Sequence, residues 1–210
     1  MRVDPASTPR KDIYGLMIRC IIPRPIAWVS TRSADGQHNL APFSFFTGVT
    51  SNPPSVLFCP GLRTSDGSKK DTLANVEATG EFVVNLVTGP LAEQMIDTAV
   101  DFTPGVDEFA VAGLTPAPCE IVSAPRVSES PMSFECRRLD IFHVGPDDDS
   151  GGDIIVGEIV MIHVDDAVLA DGKVDAGLLD PVARLGGMEY TRLGERFKMP
   201  RRKPEDFSTG

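Results

Sequence analysis

The sequence predicts a mainly β protein, an antiparallel barrel closed on itself with a few helices packed outside. Runs of β-branched and aromatic residues recur between breaks rich in Gly, Pro and Asp, whereas helical periodicity occurs in only two or three places. The stretch Ile154 to Val164 is apolar on both faces, with Val156, Val160 and Ile162 on one side and Ile155, Ile159 and Met161 on the other. Such a strand is expected to be covered from two sides. Barrel closure also removes the free edges that so many strands would otherwise expose.

In chain order, residues 1 to 12 are polar and basic and read as a peripheral arm, as do residues 199 to 210. Arg24 to Thr31 and Asn39 to Phe46 form a hairpin around Asp35-Gly36, a pair that suits a tight turn because glycine tolerates positive φ. Asn39 and Pro42 are expected to interrupt the ladder of the second arm. That would free backbone amides around Leu40, Ala41, Ser44 and Phe45 for something other than a neighbouring strand. Pro54 to Cys59 follows as a strand. Asp71 or Thr72 then caps a helix that runs through Leu73, Val76 and Glu77 and stops at Gly80.

Glu81 to Val87 is the next strand, and Pro90 to Val100 the next helix, with an apolar stripe of Leu91, Met95, Ile96 and Ala99. Glu120 to Ser123, Ser133 to Val144 and Ile154 to Val164 complete the strands. A polar turn carrying Asp147, Asp148 and Asp149 joins the last two; it lacks the ligand spacing of a calcium loop and reads as solvated. No internal repeat or second domain is visible, so residues 1 to 210 are expected to form one domain.

A net charge of −10 argues against non-specific binding to nucleic acid or an anionic membrane. No apolar run reaches membrane-spanning length and no leader opens the chain, so a cytoplasmic location is expected. Four scattered cysteines without CxxC spacing and three isolated histidines spell out no metal site. The cysteines read as buried free thiols, and His163 as a satisfied core or edge histidine. There is no GxGxxG turn, no Walker-type glycine loop and no Ser-His-Asp order.

The segment Thr64 to Thr72 gathers hydroxyls, a glycine, Lys69 and Lys70 just before a helix N-terminus. By itself it reads first as a solvated loop with an ordinary cap, and second as an anion site in which free amides, Ser65, Ser68, Lys70 and Thr72 hold a phosphate. Asp71 weakens the anion reading unless it turns to the cap. Trp28 is either core filling or a ring contact. Arg24, between two prolines, is a surface arginine or a phosphate clamp at a pocket rim. Of Phe43, Phe45 and Phe46, at most two can face the core.

The succession RPIAWVST, DGxxNLAPFSFF, NPPSVLF, KKDTLANVEATGEFVVNL, DEFAVAGLTPAP and RLGGMEY, spanning about Ile22 to Tyr190, resembles the flavin-reductase-like, FMN-binding split-barrel family, in its flavoredoxin-related branch. The resemblance implies a split β-barrel, antiparallel and Greek-key-like. It also implies a homodimer with one FMN per subunit near the interface, and NADH or NADPH as electron source. On this resemblance the arm Asn39, Leu40, Ala41, Pro42, Ser44, Phe45 and Phe46 faces the flavin ring edge, and Arg24, Ile26, Trp28 and Ser30 form the other side of the pocket. Ser65, Lys70, Asp71 and Thr72 take the phosphate, and Arg184 and Tyr190 reach the site of their own or the partner subunit.

The implied activity is transfer of a hydride from NAD(P)H to flavin and of electrons onward to free flavin, a partner monooxygenase or another acceptor. Such a transfer needs alignment more than an acid-base residue, so no catalytic side chain is expected. An FMN electron carrier reduced by a partner protein, and a non-catalytic barrel for another small ligand, are the alternatives.

Overall fold

The computed structural model describes residues 1–63, 65–146 and 151–207. The aspartate turn at 147–149 lies outside the described residues. Seven strands form the main antiparallel sheet: β1 (Ala27–Arg32), β2 (His38–Phe43), β3 (Phe46–Ser51), β4 (Pro54–Phe58), β5 (Glu81–Leu86), β6 (Met132–Val144) and β7 (Gly152–Val164). Their order is β2-β1-β5-β6-β7-β4-β3. The two end strands, β2 and β3, are therefore consecutive in sequence and separated only by Ser44 and Phe45. Three Cα–Cα steps of about 3.8 Å cannot bridge the width of an open seven-stranded sheet, so the sheet must roll up. The result is a barrel whose seam is that two-residue bend. This is the split-barrel class that the sequence led us to expect.

The barrel interior holds Ala27, Val29, Phe43, Val56, Phe58, Phe82, Val84, Cys136 and Ile155, closed by Leu73 and Val76 of helix α2 (Asp71–Thr79). Gly157 sits at a register shift of β7, where a Cβ would come within 2.3 Å of the Phe82 ring, so the close approach demands glycine. A second cluster, with Ile26, Trp28 and Leu40, lies on the other face of the hairpin beneath α3 (Ala92–Asp97) and α4 (Glu108–Ala112). The alternation along β1 thus feeds two cores.

The hairpin forms as expected, but Asn39 and Pro42 do not interrupt it. Asn39 pairs with Thr31 and Pro42 with Trp28. An edge strand tolerates proline when the missing N–H would face outward. Residues Arg24–Pro25 leave the main sheet and pair with Ala183–Arg184, which in turn pair with Tyr190–Thr191. This small sheet carries the late RLGGMEY motif back to the start of the hairpin.

Helix α2 stops at Gly80, with φ 72°, as expected. Its N-cap, however, is Lys70, because the Asp71 carboxylate is paired to Arg63 and the Thr72 hydroxyl accepts a hydrogen bond from Asn39. The helix expected over Pro90 to Val100 is a 3₁₀ turn (Gly89–Leu91) followed by α3, with Ile96 exposed. Helix α1 (Arg10–Cys20) takes up the end of the expected N-terminal arm and buries none of its residues, which leaves Cys20 exposed rather than buried. Ile162 of β7, opposite Phe134, is also exposed, as are Leu139, Phe142 and Val144 of β6 toward the other end of the ribbon, so these apolar side chains are not covered within the chain. Two register shifts in the β6–β7 pairing break the simple face alternation read from the sequence.

Residues 120–123 are a loop rather than a strand. The reason is Glu135, fully buried in β6, whose carboxylate accepts hydrogen bonds from the Glu120, Ile121 and Val122 amides at 2.7–3.0 Å and meets His163 Nε2 at 2.6 Å. Burial alone would raise its pKa; these amides and His163 instead bring it down to about 2. A carboxyl with a depressed pKa stabilises the fold above its unfolded value, near 4.3, and that contribution is lost as pH falls toward 2. Glu135→Gln is expected to cost ~2 kcal/mol at neutral pH and to flatten the acid side of the stability profile. Urea unfolding of both proteins from about pH 7 to about pH 3 checks this; parallel profiles would contradict it.

Candidate functional site

The seam opens onto a cavity of about 460 Å³, within the size range of small-ligand sites. One wall is the end of β2 and the bend, with Asn39, Ala41, Pro42, Ser44 and Phe45; the opposite wall is Arg63, Lys70, Asp71 and Thr72 at the start of α2. Thr98, Asp101 and Phe102 close one side, Glu108 comes from α4, Tyr14 from α1, Asp153 from β7, and Arg184 from the late motif.

The amides on the first wall divide into two groups. Leu40 N–H points away from β1 and donates to Glu108 Oε2 at 3.0 Å. By the alternation of an antiparallel ladder, Asn39, Ala41 and Phe43 then direct their N–H groups into the pairing with β1. The amides of Leu40 and Ala41, expected to be free, are therefore taken. Those of Ser44 and Phe45, in the bend between the strands, have no hydrogen-bond acceptor among the described residues.

The bend is held from behind by Arg24, only 4% exposed. Its guanidinium donates to Ile18 O at 2.6 Å, Ile21 O at 2.8 Å, Leu185 O at 2.9 Å and Ser44 Oγ at 3.2 Å, and it lies 5.6 Å from the Phe45 ring centroid. Burial, with Arg184 nearby, lowers its pKa. Arg24 thus ties the end of α1, the late motif and the bend together without itself lining the cavity.

The opposite wall is a charge cluster. Arg63 pairs with Asp71 at 2.7 Å and Asp101 at 3.6 Å, and Lys70 with Asp101 at 3.5 Å. Arg63 also donates to Phe102 O. Its Nε is the one buried side-chain nitrogen or oxygen without a hydrogen-bond partner among the described residues, an unmet donor beside the cavity. Glu108, 6% exposed, is pushed up to about 7, chiefly by burial, with Asp71 and Asp107 adding to the rise and the Leu40 amide and its own opposing it. Burial also raises the Cys59 thiol, which lines the cavity as a neutral group.

Of the residues singled out from sequence, Asn39, Ala41, Pro42, Ser44, Phe45, Lys70, Asp71, Thr72 and Arg184 come together at this cavity. The others lie elsewhere. Ile26 and Trp28 belong to the second core, Trp28 donating from Nε1 to Thr98 Oγ1 at 2.8 Å. Ser30 is buried and donates to Pro125 O. Leu40 is core, Phe46 packs against the barrel interior, Ser65 is exposed with its amide on Asp101, and Tyr190 stacks on Arg184 at 5.4 Å. Sequence reasoning missed Arg63, which stands just before the basic loop, and Glu108, which lies inside the quoted DEF motif. It also missed Asp101 and Tyr14, whose segments carry no pattern of their own.

The flavin reductase like domain model matches residues 18–179, so the chain belongs to the flavin-reductase-like family. An uncharacterised protein of Aquifex aeolicus is 41% identical over 193 residues, 91% of this chain and 95% of that one. Among solved structures, nitrilotriacetate monooxygenase component B from Bacillus cereus is 33% identical with a TM-score of 0.90, covering 95% of this chain and 98% of its own. The 2-nitrobenzoate 2-nitroreductase NbaA of Pseudomonas fluorescens is 27% identical with a TM-score of 0.85, covering 97% and 98%.

If Arg24 fixes the bend, Arg24→Met leaves three carbonyls without their donor and is expected to cost about 2–4 kcal/mol, with Arg24→Lys recovering only part. Denaturant unfolding measures both; a neutral Met variant would show that the bend is held by other means.

Proposed function

We propose that the chain is an NAD(P)H-dependent flavin oxidoreductase that holds FMN in the seam cavity. The observation that carries this reading is the pairing, across one cavity, of two unmet amides at Ser44 and Phe45 with an unmet Arg63 donor beside Lys70 and the start of α2. Such a site suits a ligand with a polar ring edge at one end and an anion at the other.

In this reading the Ser44 and Phe45 amides and the Ser44 hydroxyl orient the ring edge, and Asn39, Ala41 and Pro42 form the floor. Lys70 and Thr72 hold the phosphate, joined by Arg63, with Asp71 and Ser65 shaping the loop around it. Asp71 and Asp101 keep Arg63 and Lys70 in place and are the counter-charges a phosphate must share. Arg184 closes the rim. Arg24, Ile26, Trp28, Ser30, Leu40, Phe46 and Tyr190 support these groups from behind. When bound, FMN supplies hydride acceptance from a nicotinamide and onward delivery of electrons.

A homodimer is part of the reading. It is supported by the α1 helix, none of whose residues is fully buried within its own chain, and by the exposed apolar residues of β6 and β7. The B. cereus protein is by its name one component of a monooxygenase, which supports a partner monooxygenase as acceptor here; the name of NbaA supports a small nitroaromatic acceptor instead. Residues 1 to 210 act as one domain in this account. Among the described residues no helix is long and apolar enough to cross a membrane.

The test is the visible spectrum of the purified protein, identification of any released flavin, and anaerobic addition of NADH and NADPH. The expected result is a yellow protein carrying FMN that bleaches with one of them. A yellow protein that neither nicotinamide bleaches would assign it instead as an electron carrier, and a colourless protein that takes up no FMN would overturn the flavin reading.

A further inference from the structure

Glu108 has no role in the reading above, yet it is the most buried carboxyl on the cavity wall. Its Oε2 is fixed on the outward edge of β2 by the Leu40 amide, so the carboxyl stands where the next strand of an open sheet would pair. Carboxylates also approach it from two elements. Asp107, the N-cap of α4, precedes it and lies 4.0 Å from the His38 ring of β2, and Asp71 opens α2. Helix α3 packs on α4 and carries Glu93 and Asp97, neither of which lines the cavity. Of the cations lining the cavity, Arg63 and Lys70 are engaged by Asp71 and Asp101, and Arg184 donates to Gly187 O at 3.3 Å and lies over the Tyr190 ring. Nothing cationic is therefore bonded to Glu108 among the described residues.

We propose that Glu108 is a proton-linked binding residue of the cavity, present as the neutral acid when an anionic flavin is bound, so that FMN binding takes up a proton. This rests on the flavin reading. Further negative charge brought into a small cavity disfavours an ionised carboxylate nearby, and the neutral acid gains a donor that the carboxylate lacks. Burial pushes the group up to about 7; a bound phosphate, dianionic above about pH 6, pushes it higher. Affinity must then fall as pH rises above the free value and level off above the bound one.

The experiment measures FMN affinity by fluorescence quenching between about pH 7 and pH 9, for the natural protein and for Glu108→Gln. The natural protein is expected to lose up to about tenfold in affinity per pH unit, and the Gln variant, neutral throughout, to show no such loss. Calorimetry of FMN binding to the natural protein at about pH 8, in two buffers of different ionisation enthalpy, should show uptake of close to one proton and needs no variant. Parallel pH profiles for the two proteins, or binding without proton uptake, would overturn the role of Glu108 and leave the flavin reading standing. Absence of FMN binding at every pH would overturn the flavin reading itself.

Discussion

The rest of the structure depends on one topological constraint: the first and last strands of the seven-stranded sheet are neighbours in sequence, joined by Ser44 and Phe45. A two-residue connection between opposite edges forces closure, and closure by a covalent bend leaves a seam where ladder hydrogen bonds would otherwise run. The Phe45 carbonyl accepts the Cys59 amide just beyond β4, but among the described residues the Ser44 and Phe45 amides join neither ladder. The cavity, the unmet amides and the converging loops all follow from this.

The molecule manages buried charge with unequal completeness. Glu135 and Arg24 are both enclosed and well partnered, the first by three amides and His163, the second by three carbonyls and the Ser44 hydroxyl. Neither lines the cavity: Glu135 pins a loop, and Arg24 pins the bend from behind. Around the cavity the satisfaction is partial. Arg63 retains an unmet Nε, and Glu108 is held by amides but by no cation. A buried group left short of partners costs stability, so such groups concentrate where a ligand completes them.

Much of this was legible in the residues. The Asp35-Gly36 turn, the Gly80 stop and the long two-faced strand led to the hairpin, α2 and β7, and the six ordered motifs led to the split barrel. The misreadings have physical causes. Pro42 looked like a break because strand position cannot be told from sequence, and on an outer edge its missing N–H costs nothing. Glu120 to Ser123 looked like a strand because nothing local announces that Glu135 will capture its amides. Trp28 and Ser30 alternate with Ala27 and Val29 as expected, but Trp28 lies in a second core under α3 and α4 and Ser30 is buried on Pro125 O and Asn85, not in a ligand pocket. Arg63 and Glu108 escaped notice because their importance lies in partners they lack, which only the packed structure reveals.

The central claim is that the bend amides are held open for the ring edge of a flavin. Hydrogen exchange followed by mass spectrometry, with and without FMN, tests it most directly. The account predicts slower exchange at Ser44 and Phe45 on FMN binding, with Leu40, already bonded to Glu108, little changed. FMN binding that leaves exchange across residues 43–46 unaltered would contradict it.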